Sequence, residues 1–106
     1  MLSPHEQQNL KKYTQNIDVT NMTGAFDALS DKNRCLIFRV LLKEPKATVG
    51  QIADMLEISM PLASQHLRIL LLAKLTRREK QGKLVYYSIN YDEPIAVALK
   101  QSIELI

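Results

Sequence analysis

The sequence predicts a mainly α domain with one small β-hairpin, in the order α-α-α-α-α-β-β-α. Three observations predict it. Apolar residues recur at helical spacing along most of the chain, and two of these helical patterns meet at a three-residue break, Glu57-Ile58-Ser59. After Lys74 the pattern switches to two short segments around Gln81-Gly82. The 106 residues suit a single domain, 1–106, with a modest core.

Each element has its own signal. Ser3-Pro4 reads as the N-cap and first position of a helix running to about Gln15, with Leu10 and Tyr13 as sparse apolar contacts. A short helix over Met22 to Leu29 places Ala25, Phe26 and Leu29 at helical spacing. Asp31 caps the next helix, Lys32 to Lys43, which is apolar almost all round and is therefore expected to be central and buried. Glu44-Pro45 stops it. Thr48-Val49-Gly50-Gln51 has capping-box form, and Val49, Ile52, Ala53 and Leu56 then make one apolar stripe. Ser59 is placed to cap a helix from Met60 to about Ala73, whose inward stripe is Ala63, Leu67 and Leu70. Leu75 to Lys80 and Lys83 to Ile89 read as strands, with Gly82 supplying the positive φ of a tight turn. Asp92-Glu93-Pro94 opens a last helix striped with Ile95, Leu99, Ile103 and Ile106.

Composition narrows the function classes. Hydrophobic residues make up 46% and charged residues 24%, ordinary for a soluble globular protein. No apolar run reaches the roughly 18 residues of a membrane span, the N-terminus has no secretory signal, and the single Cys35 suits a reducing cytosol. The expected location is cytoplasmic. Net charge is only +3, but it is unevenly spread. Met60 to Tyr91 holds six basic residues against one acid, Glu79, while the other positions hold eight basic and ten acidic residues. A concentrated basic segment on a slightly acidic body fits a face for a polyanion, although a solvated charged hairpin would carry the same charge.

Two short helices joined by a three-residue turn and followed by a basic hairpin form a winged helix-turn-helix, here 48–73 for the helix pair and 75–89 for the wing. The second helix must bury one face and offer the other to the major groove of double-stranded DNA. With Ala63, Leu67 and Leu70 inward, Pro61, Ser64, Gln65 and Arg68 point outward, and Met60 lies at the leading N-terminus. Ser64 and Gln65 can hydrogen-bond base edges, and Arg68 can reach a guanine or a phosphate. Arg77, Arg78, Lys80, Gln81 and Lys83 suit a wing laid on phosphates, which supplies affinity and salt dependence more than sequence choice. His66, beside the inward stripe, reads as a packing or capping residue, or a DNA-backbone contact, rather than a metal ligand.

These pieces together resemble the ArsR/SmtB-type bacterial repressors. The resemblance rests on Phe26-Asp27-Ala28-Leu29-Ser30-Asp31-Lys32-Asn33-Arg34, Gln51-Ile52-Ala53, Ser59 to Leu70, and Gly82-Lys83-Leu84-Val85-Tyr86-Tyr87, in order and spacing over nearly the whole chain. It implies a homodimer paired through the terminal helices, 1–15 and 94–106, and repression by operator binding. The resemblance breaks at the usual metal sites. Ala47 to Asp54 has no cysteine, the last helix has no histidine, and Cys35, His5 and His66 lack ligand-like spacing, so no metal or other cofactor is expected. Cys35, in the most apolar helix, reads as a small buried hydrophobe. Glu57 stands where glycine is usual in that family, and Leu71-Leu72 stands where its members often carry charge.

The sequence therefore predicts a dimeric repressor on an inverted-repeat operator. The competing reading is a winged-helix protein-interaction module using the hairpin and Leu71-Leu72. No nucleophile–base pair, paired carboxylates or phosphate-cradling glycine loop points to an enzyme; Ser64 and His66 face different directions on one helix.

Overall fold

The computed structural model describes residues 1–104. Helix α1 spans Pro4–Asn16, and its capping box is complete: the Glu6 N–H donates to Ser3 Oγ while the Ser3 N–H donates to the Glu6 carboxylate. Helix α2 spans Thr20–Leu29. It begins two residues before the sequence expectation because the Asp18 carboxylate accepts from the Thr20 N–H at 2.9 Å. Helix α3, Lys32–Lys43, starts on the Asp31 cap as expected.

A two-residue strand that the sequence did not announce, β1 at Ala47–Thr48, precedes helix α4 (Val49–Leu56). Helix α5 spans Met60–Leu72, strands β2 and β3 span Thr76–Gln81 and Leu84–Ile89, and helix α6 spans Pro94–Glu104. The sheet has three strands rather than two, ordered β1-β3-β2 and antiparallel throughout. Gln81 pairs with Leu84, so the tight turn is Gly82-Lys83, one residue later than expected, with φ 63° at Gly82. Placing that positive φ on the first central residue alone fits a type II′ turn.

The apolar core is drawn from every element except α1 and β2, whose one buried residue is Thr76. Ile37, Phe38 and Leu41 of α3 lie at its centre, covered by Ile52 of α4, Leu67 and Leu70 of α5, and Tyr87 and Ile89 of β3. Helix α3 is less enclosed than its composition implies: Leu36 and Arg39 are exposed, and Cys35 is half-buried. Ala25 and Ala28 are the buried residues of α2, whereas Phe26 is 55% exposed. The apolar stripe of α6 packs partly on the body through Ile95, Leu99 and Ile103; Ile106 lies outside the described residues.

Helix α1 behaves differently. None of its residues is buried, and Leu10 and Tyr13 stand in solvent. The molecule measures 60 × 26 × 24 Å, with a radius of gyration of 17.4 Å. A compact chain of this size would have about 13 Å. The excess length reflects a first helix that buries none of its residues against the other described elements.

Both helices of the helix-turn-helix end on a left-handed residue that is not glycine. Glu57 (φ 56°) follows α4, and the Ile58 N–H donates to the Ala53 carbonyl. Lys74 (φ 64°) follows α5, and the Leu75 N–H donates to the Leu70 carbonyl. Each is a Schellman-type ending sealed by an apolar residue, Ile58 or Leu75. Left-handed backbone costs a side-chain-bearing residue roughly 1–2 kcal/mol, and glycine gives part of that back through its greater freedom when unfolded. Replacing Glu57→Gly is therefore expected to stabilise the fold by about 0.5 kcal/mol. A urea midpoint that falls instead would show that the Glu57 side chain contributes more than its backbone costs.

Candidate nucleic-acid interface

Helix α4 is fixed by a complete capping box between Thr48 and Gln51. The turn then delivers Ser59, whose Oγ accepts from the Leu62 N–H at 3.2 Å and starts α5. Pro61 in the first turn removes a donor that would have lacked a partner. Ala63, His66, Leu67 and Leu70 are buried, and Met60, Pro61, Ser64, Gln65 and Arg68 are exposed together on the opposite face.

His66 is a packing residue. It is 8% exposed, and its Nδ1 lies 3.9 Å from Asp31 Oδ2 without forming a hydrogen bond. Asp31 caps α3 by accepting from the Arg34 N–H at 3.1 Å. That backbone hydrogen bond, helped by the nearby His66 and Arg34 charges and opposed by partial desolvation, holds the Asp31 carboxyl below the ordinary carboxylate range. Helix α5 thus approaches the N-terminal cap of α3 through a buried His66 and a partly exposed Asp31.

The hairpin register sorts the wing residues onto two faces. Side chains alternate along a strand, so Thr76, Arg78 and Lys80 share one face, opposite Ile89, Tyr87 and Val85, while Arg77, Glu79 and Gln81 share the other. On the first face, Arg78 meets α5: Ser64, Arg68, Leu71, Leu72, Arg78 and Tyr87 line one shallow depression between helix and hairpin. This settles the placement of the leucine pair, with Leu71 half-buried and Leu72 71% exposed on the depression's wall. Lys80 and Lys83 are exposed towards the hairpin tip.

Arg77 and Gln81 lie elsewhere. Arg77 is at the wing's root, where its guanidinium pairs with the Asp92 carboxylate and its Nε donates to Asn90 Oδ1 at 3.0 Å. Gln81 accepts from Lys46 Nζ at 2.6 Å, and that ammonium also sits 4.3 Å from the centre of the Tyr86 ring. Among the described residues, eight of the ten expected to face DNA are free of such ties, and these two are held on the opposite side of the hairpin by their position in the pleat. Sequence reading missed Lys46, because the contact depends on β1, and missed Asn90 and Asp92 as partners of Arg77.

Among the described residues, no group of three or more His, Cys, Asp or Glu side chains is placed to hold a metal ion. His5 lies on the exposed α1, His66 is in the core, and Cys35 is on α3.

Comparison with known proteins agrees with this architecture. Residues 31–75 match the model of the family described as bacterial regulatory protein, arsR family. The chain is 37% identical over 79 residues to the cadmium resistance transcriptional regulatory protein CadC of Listeria innocua, a match covering 74% of this chain and 66% of that one, just under two thirds of its length. It is 41% identical over 69 residues to the transcriptional repressor SdpR of Bacillus subtilis, covering 65% of this chain and 76% of SdpR. Among solved structures, the transcriptional regulator HlyU of Vibrio vulnificus superposes with a TM-score of 0.72 at 27% identity, over 92% of this chain and 97% of HlyU. A mainly helical winged helix-turn-helix that shares this much sequence with SdpR places the chain plainly: it belongs to the arsR family of DNA-binding bacterial transcriptional regulators.

Proposed function

We propose that this protein is a cytoplasmic dimeric repressor that reads an inverted-repeat operator. In this reading α5 enters the major groove and the hairpin lies on the flanking backbone. The observation that carries the reading is the convergence of Ser64 and Arg68 from α5 with Arg78 from β2 in one solvent-open depression. A cationic recess between a recognition helix and a wing suits a phosphate strand, and Gln65 beside it suits a base edge. Lys80 and Lys83 extend the cationic strip, and Met60 and Pro61 lead the helix into the groove. Among the described residues no helix is long and apolar enough to cross a membrane.

The exposed face of α1 supports dimerisation. Its uncovered Leu10 and Tyr13, continued by the exposed Ile17 and Met22, need a second surface, and a second copy supplies one with two-fold symmetry. The half-covered α6 stripe is the other part of that interface. Two α5 helices would then sit about 34 Å apart, one turn of DNA. CadC takes its name from cadmium resistance; in this chain, no group of three or more His, Cys, Asp or Glu side chains among the described residues is placed to hold such an ion.

Selection of bound duplexes from a random pool tests the proposal: an inverted repeat should emerge. Arg78→Ala is expected to weaken binding to all duplexes alike and to reduce the slope of log K against log salt by about 0.9. Gln65→Ala should instead change which sequence is preferred, by about 1–3 kcal/mol at one base pair of each half-site. Weak, sequence-blind binding by the unaltered protein would favour the protein-interaction reading.

A further inference from the structure

We infer that Arg77 is a positioning residue that latches the wing to the segment leading into α6, and that it contacts no DNA phosphate. The inference rests on the operator-binding reading but concerns a cluster outside the cationic depression. Arg77 is the second residue of β2, at the end of the hairpin away from the Gly82-Lys83 turn. It stands on the opposite face of the strand from Arg78, so the side chain that meets α5 and the side chain at the latch point apart.

Its fork is already engaged. One arm pairs with Asp92, two residues before α6, and Nε donates to Asn90. Asn90 then ties both sides of the wing root. Its Nδ2 donates to the Lys74 carbonyl at 3.4 Å, and its backbone N–H donates to the Leu75 carbonyl at 3.0 Å. Lys74 itself holds the left-handed backbone that turns the chain out of α5. The cluster therefore joins three directions: the end of the recognition helix, the base of the wing and the start of α6. A planar guanidinium with two separate donors suits that junction, whereas an ammonium would satisfy only part of it.

The sign of one substitution separates this role from a phosphate contact. If Arg77 served DNA, removing the competing Asp92 charge would free it and strengthen binding. If it is a latch, removing Asp92 loosens the wing and weakens binding although a negative charge has gone. The test uses the full-length protein and the duplex recovered from the random pool, titrated across a salt series. Arg77→Ala, Arg77→Lys and Asp92→Asn are each expected to weaken binding about fivefold with the salt slope unchanged. The Arg77→Ala/Asp92→Asn double variant should be no worse than either single one. Tighter binding by Asp92→Asn, wild-type affinity in Arg77→Lys, or a flatter slope in Arg77→Ala would overturn the inference. A second measurement needs no DNA: amide hydrogen exchange at Asn90 should speed up in the three single variants while the urea midpoint stays put. Unchanged exchange would also overturn the latch. Failure of the unaltered protein to bind any selected duplex would count against the operator reading alone, leaving the exchange measurement to decide the latch.

Discussion

A chain carrying Leu10→Asp and Tyr13→Asp on α1 is expected to sediment as a monomer and to lose about 10²–10⁴-fold in operator affinity. Both side chains are large, apolar and exposed, Tyr13 at 61%, on a helix that buries nothing within its own chain. Placing carboxylates there leaves the folded body untouched, because no core residue comes from α1. It would, however, force two desolvated charges into any interface the helix makes. The loss is large because two linked half-site contacts become two independent ones, each of which must be made from free solution. Sedimentation and DNA titration check the two halves separately. Wild-type affinity from a proven monomer would remove the inverted-repeat reading, and an intact dimer would move the interface away from α1.

Phe38→Ala is expected to cost about 3–5 kcal/mol of stability, a large share of the 5–15 kcal/mol that holds a typical domain together. Phe38 is fully buried at the centre of α3, where α2, α5 and β3 also pack. Losing its ring removes apolar contact area and leaves a cavity that surrounding helices cannot wholly close. Leu36, two residues earlier and 40% exposed, is the internal control: Leu36→Ala should stay within about 0.5 kcal/mol. Urea unfolding at one fixed protein concentration measures both, since dimerisation would otherwise mix into the result. Similar losses at the two positions would mean that the Leu36 face of α3 is covered in the assembled protein.

The contrast between these residues shows what the sequence made legible. Caps were readable because they depend on neighbours three residues apart: Ser3, Asp31, Thr48 and Ser59 all cap as their spacing predicts. The inward stripe of α5 and its outward Ser64, Gln65 and Arg68 followed from helical period alone. Which apolar residues stay uncovered was not readable, because that depends on where the next element runs. Phe26 and Leu36 look like core residues and are exposed, and two residues, Ala47-Thr48, are too short to show any strand period. The wing's basic residues were legible as a group but not individually. Strand alternation separates Arg78 from Arg77, and only the chain's return past β3 brings Asn90 and Asp92 to the second of them.

The two-residue strand β1 has a mechanical consequence. Thr48 pairs with Tyr86 on β3 and also caps α4, so the hairpin and the helix-turn-helix are bolted at the same residue. The wing is therefore tied to the helix pair on this side as well as at the Arg77 cluster at its root. In the proposed complex, the distance along the duplex between a base read by α5 and a phosphate touched by the hairpin would act as a ruler. Within each half-site of the proposed operator, changes of length are expected to cost far more binding than changes of base.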